Sequence, residues 1–307
     1  MARRPPPGRE GYDPIDRAFP FVLTGGSPPP APAPMTWDDL TRRPRSRPDA
    51  TIAYGDDRMQ RVDVWRPAGA GPFKTVLMVH GGCWQTAVAD RSLMDWIAAD
   101  LRDAGYAVWN IDYRGVDRDG GGYPGTFLDA ARAADALRDH AGRFGLNTRR
   151  IVAVGHSAGA HLALWLAGRS KLPAASPLAG GDPLRIDAVV ALGGLPDLEA
   201  VAASPDNGCG TDVVARLVGP QTAAHPDPYA DTSVPRLLPL GVPQHLVNGD
   251  EDRIVPLRLG TSYVDQATAA GDAATLHVVE ATGHVELVAP GSAAWATATA
   301  LIAAAFA

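Results

Sequence analysis

The stretch that most constrains this chain runs from Arg150 to Leu166. An apolar run, Ile151-Val152-Ala153-Val154, leads into Gly155-His156-Ser157-Ala158-Gly159, and an apolar segment without Pro or Gly follows to Ala167. The pattern reads strand, tight turn, helix, with Gly-x-Ser-x-Gly at the turn, the signature of a nucleophile elbow. A serine between a strand end and a helix start is held in a strained backbone conformation. Its neighbours two residues away pass close to the adjoining elements, where a Cβ would clash, so glycine fits at both. Ser157 would then stand at a helix N-terminus, whose dipole favours developing negative charge.

The rest of the chain supplies a framework for that turn. Strands are expected at 59–65, 75–79, 106–111, 187–192, 242–247 and 276–279. Helices are expected at 92–101, 126–144, 257–270 and 293–306, from apolar residues at helical spacing. Alternation of this kind implies a mostly parallel sheet covered by helices on both faces, an α/β fold, with reactive groups at the C-terminal strand ends. Residues 197–240 are rich in proline and read as a small irregular lid or insertion built from short helices. Residues 1–50 hold 12 of the 28 prolines. They are expected to be extended or irregular, because proline forbids helix interiors and ladder bonds. This extension reads as a strap over the active site anchored by Phe19, Phe21, Val22 and Leu23, with a dimer contact and a loose tail as the alternatives. The domain proper is placed at 51–307.

A serine hydroxyl needs an imidazole as base and a carboxylate to orient it. After this kind of elbow the expected chain order is Ser, then Asp or Glu, then His. Asp250, Glu251 and Asp252 follow a strand; Asp252 lies deeper in its loop and is the choice, with Asp250 in reserve and Glu251 solvated. Of the 8 histidines, His284 combines a preceding Gly283 with a loop after the last strand, and it is the expected base. His80-Gly81-Gly82-Cys83-Trp84 matches a His-Gly-Gly oxyanion loop. Gly82, Cys83 and Ala158 are the expected backbone donors, and His80 a brace. Trp84 is the candidate substrate-binding wall, with a place in the core as the alternative. Cys83 as nucleophile is the rival, disfavoured because no histidine–carboxylate pair is implied beside it.

These residues together resemble the α/β-hydrolase superfamily from about Arg58 to Phe306, and within it the esterase and arylformamidase branch. The resemblance rests on His80-Gly81-Gly82-Cys83-Trp84, Asp112-Tyr113-Arg114, the Ser157 elbow, Asp252 with Val255-Pro256, and Gly283-His284. Cys83 stands where hormone-sensitive-lipase-like esterases carry a third glycine, which is closer to the form of kynurenine formamidases. Asn248 stands where many relatives have histidine, and the proline-rich extension has no counterpart among them. The resemblance implies a serine hydrolase of carboxylic esters or aryl-formamides working through an acyl-enzyme. The alternatives are a prolyl-oligopeptidase-type peptidase and a non-catalytic ligand-binding protein on the same scaffold.

The net charge of −6 argues against a nucleic-acid partner. No apolar run reaches the length of a membrane span. The basic first residues are not followed by an apolar stretch of signal type. Cys83 and Cys209 are too few for a disulfide framework and lack metal-site spacing, so a reducing cytoplasm is the default expectation. With no His-Glu-x-x-His, P-loop or Gly-x-Gly-x-x-Gly after a strand, neither metal nor cofactor is expected. The expected partner is a small ester or amide substrate, and a homodimer stays open.

Overall fold

A computed structural model of the chain describes residues 1–2 and 33–307; the anchor residues Phe19, Phe21, Val22 and Leu23 lie outside the described residues. Residues 33–307 build an eight-stranded sheet in the order β1-β2-β4-β3-β5-β6-β7-β8. The strands are β1 (Ala50–Ala53), β2 (Arg61–Trp65), β3 (Phe73–Val79), β4 (Ala107–Ile111), β5 (Leu146–His156), β6 (Ala188–Leu192), β7 (Gln244–Gly249) and β8 (Ala274–Val279). β1 and β2 run antiparallel to their neighbours, and β4 to β8 and β3 are parallel.

Alternation along the central strands divides the core in two, because successive side chains leave a strand on opposite faces. Leu77 and Val79 of β3 and Ala153 of β5 pack on one face with α3 (Gly125–Phe144), α4 (Ala158–Ala167) and α7 (Leu257–Ala269). Val76 and Met78 of β3, with Val152 and Val154 of β5, pack on the other with α2 (Asp95–Asp103) and α8 (Ala293–Ala305). α4 is buried from Ala158 to Leu166, as expected of a helix apolar all round.

β3 has β4 on one side and β5 on the other, so the winding direction reverses there. Loops leaving the C-terminal ends of β3 and β5 diverge at such a point and open a crevice. The loops after β7 and β8 reach the same end of the sheet.

The structure corrects two expectations, residues 37–41 and the cysteines, and details a third, the lid. Residues 37–41 form a short helix, α1 (Trp37–Thr41), inside the stretch expected to be irregular. Thr36 begins it with a capping box: its side chain accepts from the Asp39 N–H while the Asp39 carboxylate accepts from the Thr36 N–H at 2.8 Å. The expected lid contains two helices, α5 (Leu198–Ala202) and α6 (Asp212–Val218). Their Leu198, Val201, Val214 and Leu217 join the core, so this segment is a fixed cap. The two cysteines, expected to stand apart, are bonded: Cys83 and Cys209 lie 5.3 Å apart at Cα and 126 residues apart in sequence. No spacing rule links a pair so distant; the fold of the cap brings them together.

Candidate active site

Ser157 has φ 53° and ψ −121°, a left-handed conformation costly to any residue with a Cβ. Two bonds hold it there: its N–H donates to Leu192 O at 2.8 Å, and its carbonyl accepts from Ala160 N at 2.9 Å. The flanking glycines are required by contact. A Cβ on Gly155 would lie 2.2 Å from Gly159 O, and one on Gly159 would lie 2.2 Å from Val79 O.

His284 and Asp252 meet as the sequence predicts. His284 Nδ1 donates to Asp252 Oδ2 at 2.6 Å. The other carboxylate oxygen accepts from the N–H groups of Ile254 at 2.8 Å and Val255 at 2.9 Å. Both side chains are buried. With Nδ1 carrying the proton, the Nε2 lone pair is left to act as base. Asp250, the reserve choice, accepts from Thr282 N at 3.3 Å and braces the loop after β8. Glu251 is exposed.

Ser157, His284, Gly82 and Cys83 line one cavity of about 260 Å3. Gly82, Cys83 and Trp84 all have positive φ, at 106°, 52° and 54°, a tight reversal of the backbone. Among the described residues, the N–H groups of Gly82, Cys83 and Ala158 have no hydrogen-bond partner. His80 sits behind this loop. Its ring nitrogens reach Gly81 O at 2.6 Å and Asp112 Oδ1 at 2.9 Å. Tyr113 stacks on it at 4.4 Å and donates to His80 O at 2.9 Å. Arg91 donates to the second Asp112 oxygen at 2.9 Å. Arg114 forks onto Asp129 at 2.7 and 2.9 Å. Asp112 and Tyr113 therefore brace His80 and the loop that follows it, while Arg114 ties the motif to α3.

Trp84 is not a cavity wall. It is fully buried, and its Nε1 donates to His161 Nδ1 of α4 at 3.3 Å. The reversed backbone sends the ring down into the core. Trp37 of α1 stands at the cavity instead, 38% exposed. Its ring lies edge-on to His156 at 6.1 Å and to His284 at 6.4 Å. Proline-rich surroundings without periodicity gave no signal for it beyond the residue type. The segment carrying Trp37 is tied to the histidine loop. Met35 N donates to Glu286, which also accepts from Gly283 N at 3.1 Å, and Arg43 donates to Pro290 O at 2.8 Å.

His156, beside the serine, was also missed. Its ring is 4.5 Å from that of His284. Burial, and then the neighbouring His284, hold its pKa well below the ordinary histidine value. His156 is thus a neutral spacer that adds no positive charge beside the base.

Comparisons with known proteins bear on the family and the fold. Residues 62–266 match the family model described as BD-FAE. Esterase LipC from Mycobacterium tuberculosis (strain ATCC 25618 / H37Rv) is 30% identical over 230 residues, which cover 71% of this chain and 54% of the relative. The probable carboxylic ester hydrolase LipM of the same organism is 26% identical over 226 residues, covering 71% and 51%. The chain spans about half the length of these curated relatives. A truncated form of a carbohydrate esterase from gut microbiota superposes with a TM-score of 0.70 at 20% identity. That match covers 85% of this chain and 96% of that one, and it supports the α/β-hydrolase fold.

Proposed function

The chain belongs to the BD-FAE family, and on that premise we propose that it is a serine hydrolase of carboxylic esters. The observation that carries the reading is the 2.6 Å bond from His284 Nδ1 to Asp252, with Ser157 on its elbow in the same cavity. Ser157 Oγ attacks the ester carbonyl while His284 Nε2 takes its proton, and Asp252 holds the imidazole in the tautomer that leaves Nε2 free. The oxyanion of the tetrahedral intermediate accepts from the N–H groups of Gly82, Cys83 and Ala158. The C–O bond to the alcohol breaks as His284 returns the proton to the leaving oxygen. Water, deprotonated by the same histidine, then attacks the acyl-enzyme and releases the acid and Ser157.

Aryl-formamides pass through the same steps with an amine as leaving group, and the His-Gly-Gly-Cys-Trp loop favours them as the second substrate class. The Cys83–Cys209 bridge supports an oxidising compartment in place of the cytoplasm expected from sequence. Among the described residues no helix is long and apolar enough to cross a membrane.

Replacing Ser157→Ala is expected to lower kcat/KM for p-nitrophenyl acetate by about 10^4-fold or more. Steady-state kinetics on the purified variant, with circular dichroism to verify folding, checks this. Undiminished turnover, or no labelling of Ser157 by a fluorophosphonate in the unaltered protein, overturns the reading. Comparing p-nitrophenyl acetate with N-formylkynurenine separates the two substrate classes.

A further inference from the structure

Two cavities meet at His284. The first, of about 260 Å3, contains Ser157 and the oxyanion loop, and its far walls are Val88, Ala89, Leu93 and Gly208. Among the described residues, no acidic or basic side chain lines it apart from His156 and His284. The second, of about 400 Å3, lies beyond His284 along residues 33–37, 253–254 and 283–285, and it carries Glu251 and Arg253. Trp37, Ile254 and His284 belong to both. Trp37 is therefore a partition, and it is contributed by a segment outside the 62–266 stretch that matches the family.

We propose that Trp37 divides the substrate at its scissile bond, so that the enzyme acts on esters of short apolar acids with larger alcohols. The inference rests on the hydrolase reading above. The acyl carbon must bond to Ser157 with its oxygen on the Gly82, Cys83 and Ala158 donors. The acyl chain is thus confined to the smaller, apolar chamber. The leaving oxygen must receive its proton from His284, so the alcohol extends past that ring into the larger chamber with Glu251 and Arg253. A dry apolar cavity of about 150 Å3 holds a benzene ring, so the first chamber accepts a group of roughly that size or slightly larger. Trp37 stops a longer chain from crossing into the second. The partition is fixed by the docking of residues 33–43 on the histidine loop through Glu286 and Pro290.

The test uses two ester series with the full chain. One extends the acyl group of p-nitrophenyl esters from butyrate to decanoate. The other extends the alcohol of butyrate esters over the same lengths. The unaltered enzyme is expected to lose about tenfold or more in kcat/KM along the acyl series and about threefold or less along the alcohol series. Trp37→Ala, which removes the partition, is expected to raise the decanoate-to-butyrate ratio by about tenfold, and Trp37→Phe to leave it near that of the unaltered enzyme. Equal losses along both series in the unaltered enzyme overturn the proposal without need of any variant. A folded Trp37→Ala protein with an unchanged ratio also overturns it. If the unaltered enzyme turns over no ester in either series, the hydrolase reading itself falls, and the proposal with it.

Discussion

His161, one turn into α4, couples the loop after β3 to the cap. Its Nδ1 accepts from Trp84 Nε1, and its Nε2 donates to Thr232 O at 2.8 Å. Burial drives its pKa from 6.5 down to about 4. The folded protein therefore holds a neutral imidazole, whereas the unfolded chain takes up a proton first as pH falls. Stability is complete above about pH 6.5 and is lost as pH falls toward 4, by up to about 3 kcal/mol. His156, depressed for the same reason, adds a slope of the same sign. Urea midpoints at pH 7.5 and 4.5 are expected to fall with acid, and to fall less steeply in His161→Gln, which keeps a donor and an acceptor but does not titrate. The turn at Ser157 and the meeting of His284 with Asp252 were legible at this scale because each residue follows a strand in a loop. Trp84 and Trp37 exchanged places because a backbone reversal decides where a side chain after two glycines points. Sequence shows the glycines but not the direction of the turn.

The elbow works as an element only if α4 seats directly against the end of β3. A Cβ on Gly159 would lie 2.2 Å from Val79 O and 2.3 Å from His80 O, backbone atoms with no room to retreat. Gly159→Ala is expected to cost about 3 kcal/mol or more, or to prevent folding. Gly142 in α3 is the contrast, since a Cβ there meets nothing within 4 Å. Gly142→Ala should be neutral or stabilising by up to about 1 kcal/mol. Guanidinium unfolding of the two variants separates these outcomes. The buried strands could be read from sequence as continuous apolar runs, and α3 and α7 from their helical spacing. The edge strand β1 could not, because Ile52 is its one buried side chain. α1 could not either: five residues between prolines carry no period.

On the scale of the whole molecule, the mostly parallel sheet and its helix layers follow from the alternation of elements, but the strand order and the cross-link do not. Two cysteines 126 residues apart become neighbours through the packing of α5 and α6, a tertiary event invisible to local pattern. Closing so long a loop removes about 4–5 kcal/mol of chain entropy from the unfolded state in the polymer description. Treatment with a phosphine reductant, or Cys209→Ser, is therefore expected to lower the thermal midpoint, read by differential scanning calorimetry. Two thiols titratable in denaturant before reduction would show that the bridge does not form.

The bridge also fixes how the catalytic halves stay together. The exposed stretch at residues 180–182 lies between Ser157 and Cys209. A protease nick there would part the nucleophile from Asp252 and His284 along the backbone. Cys83 stays with the serine fragment and Cys209 with the other, so the covalent tether would keep the two in one-to-one stoichiometry. The serine and its base would then be separable only after reduction.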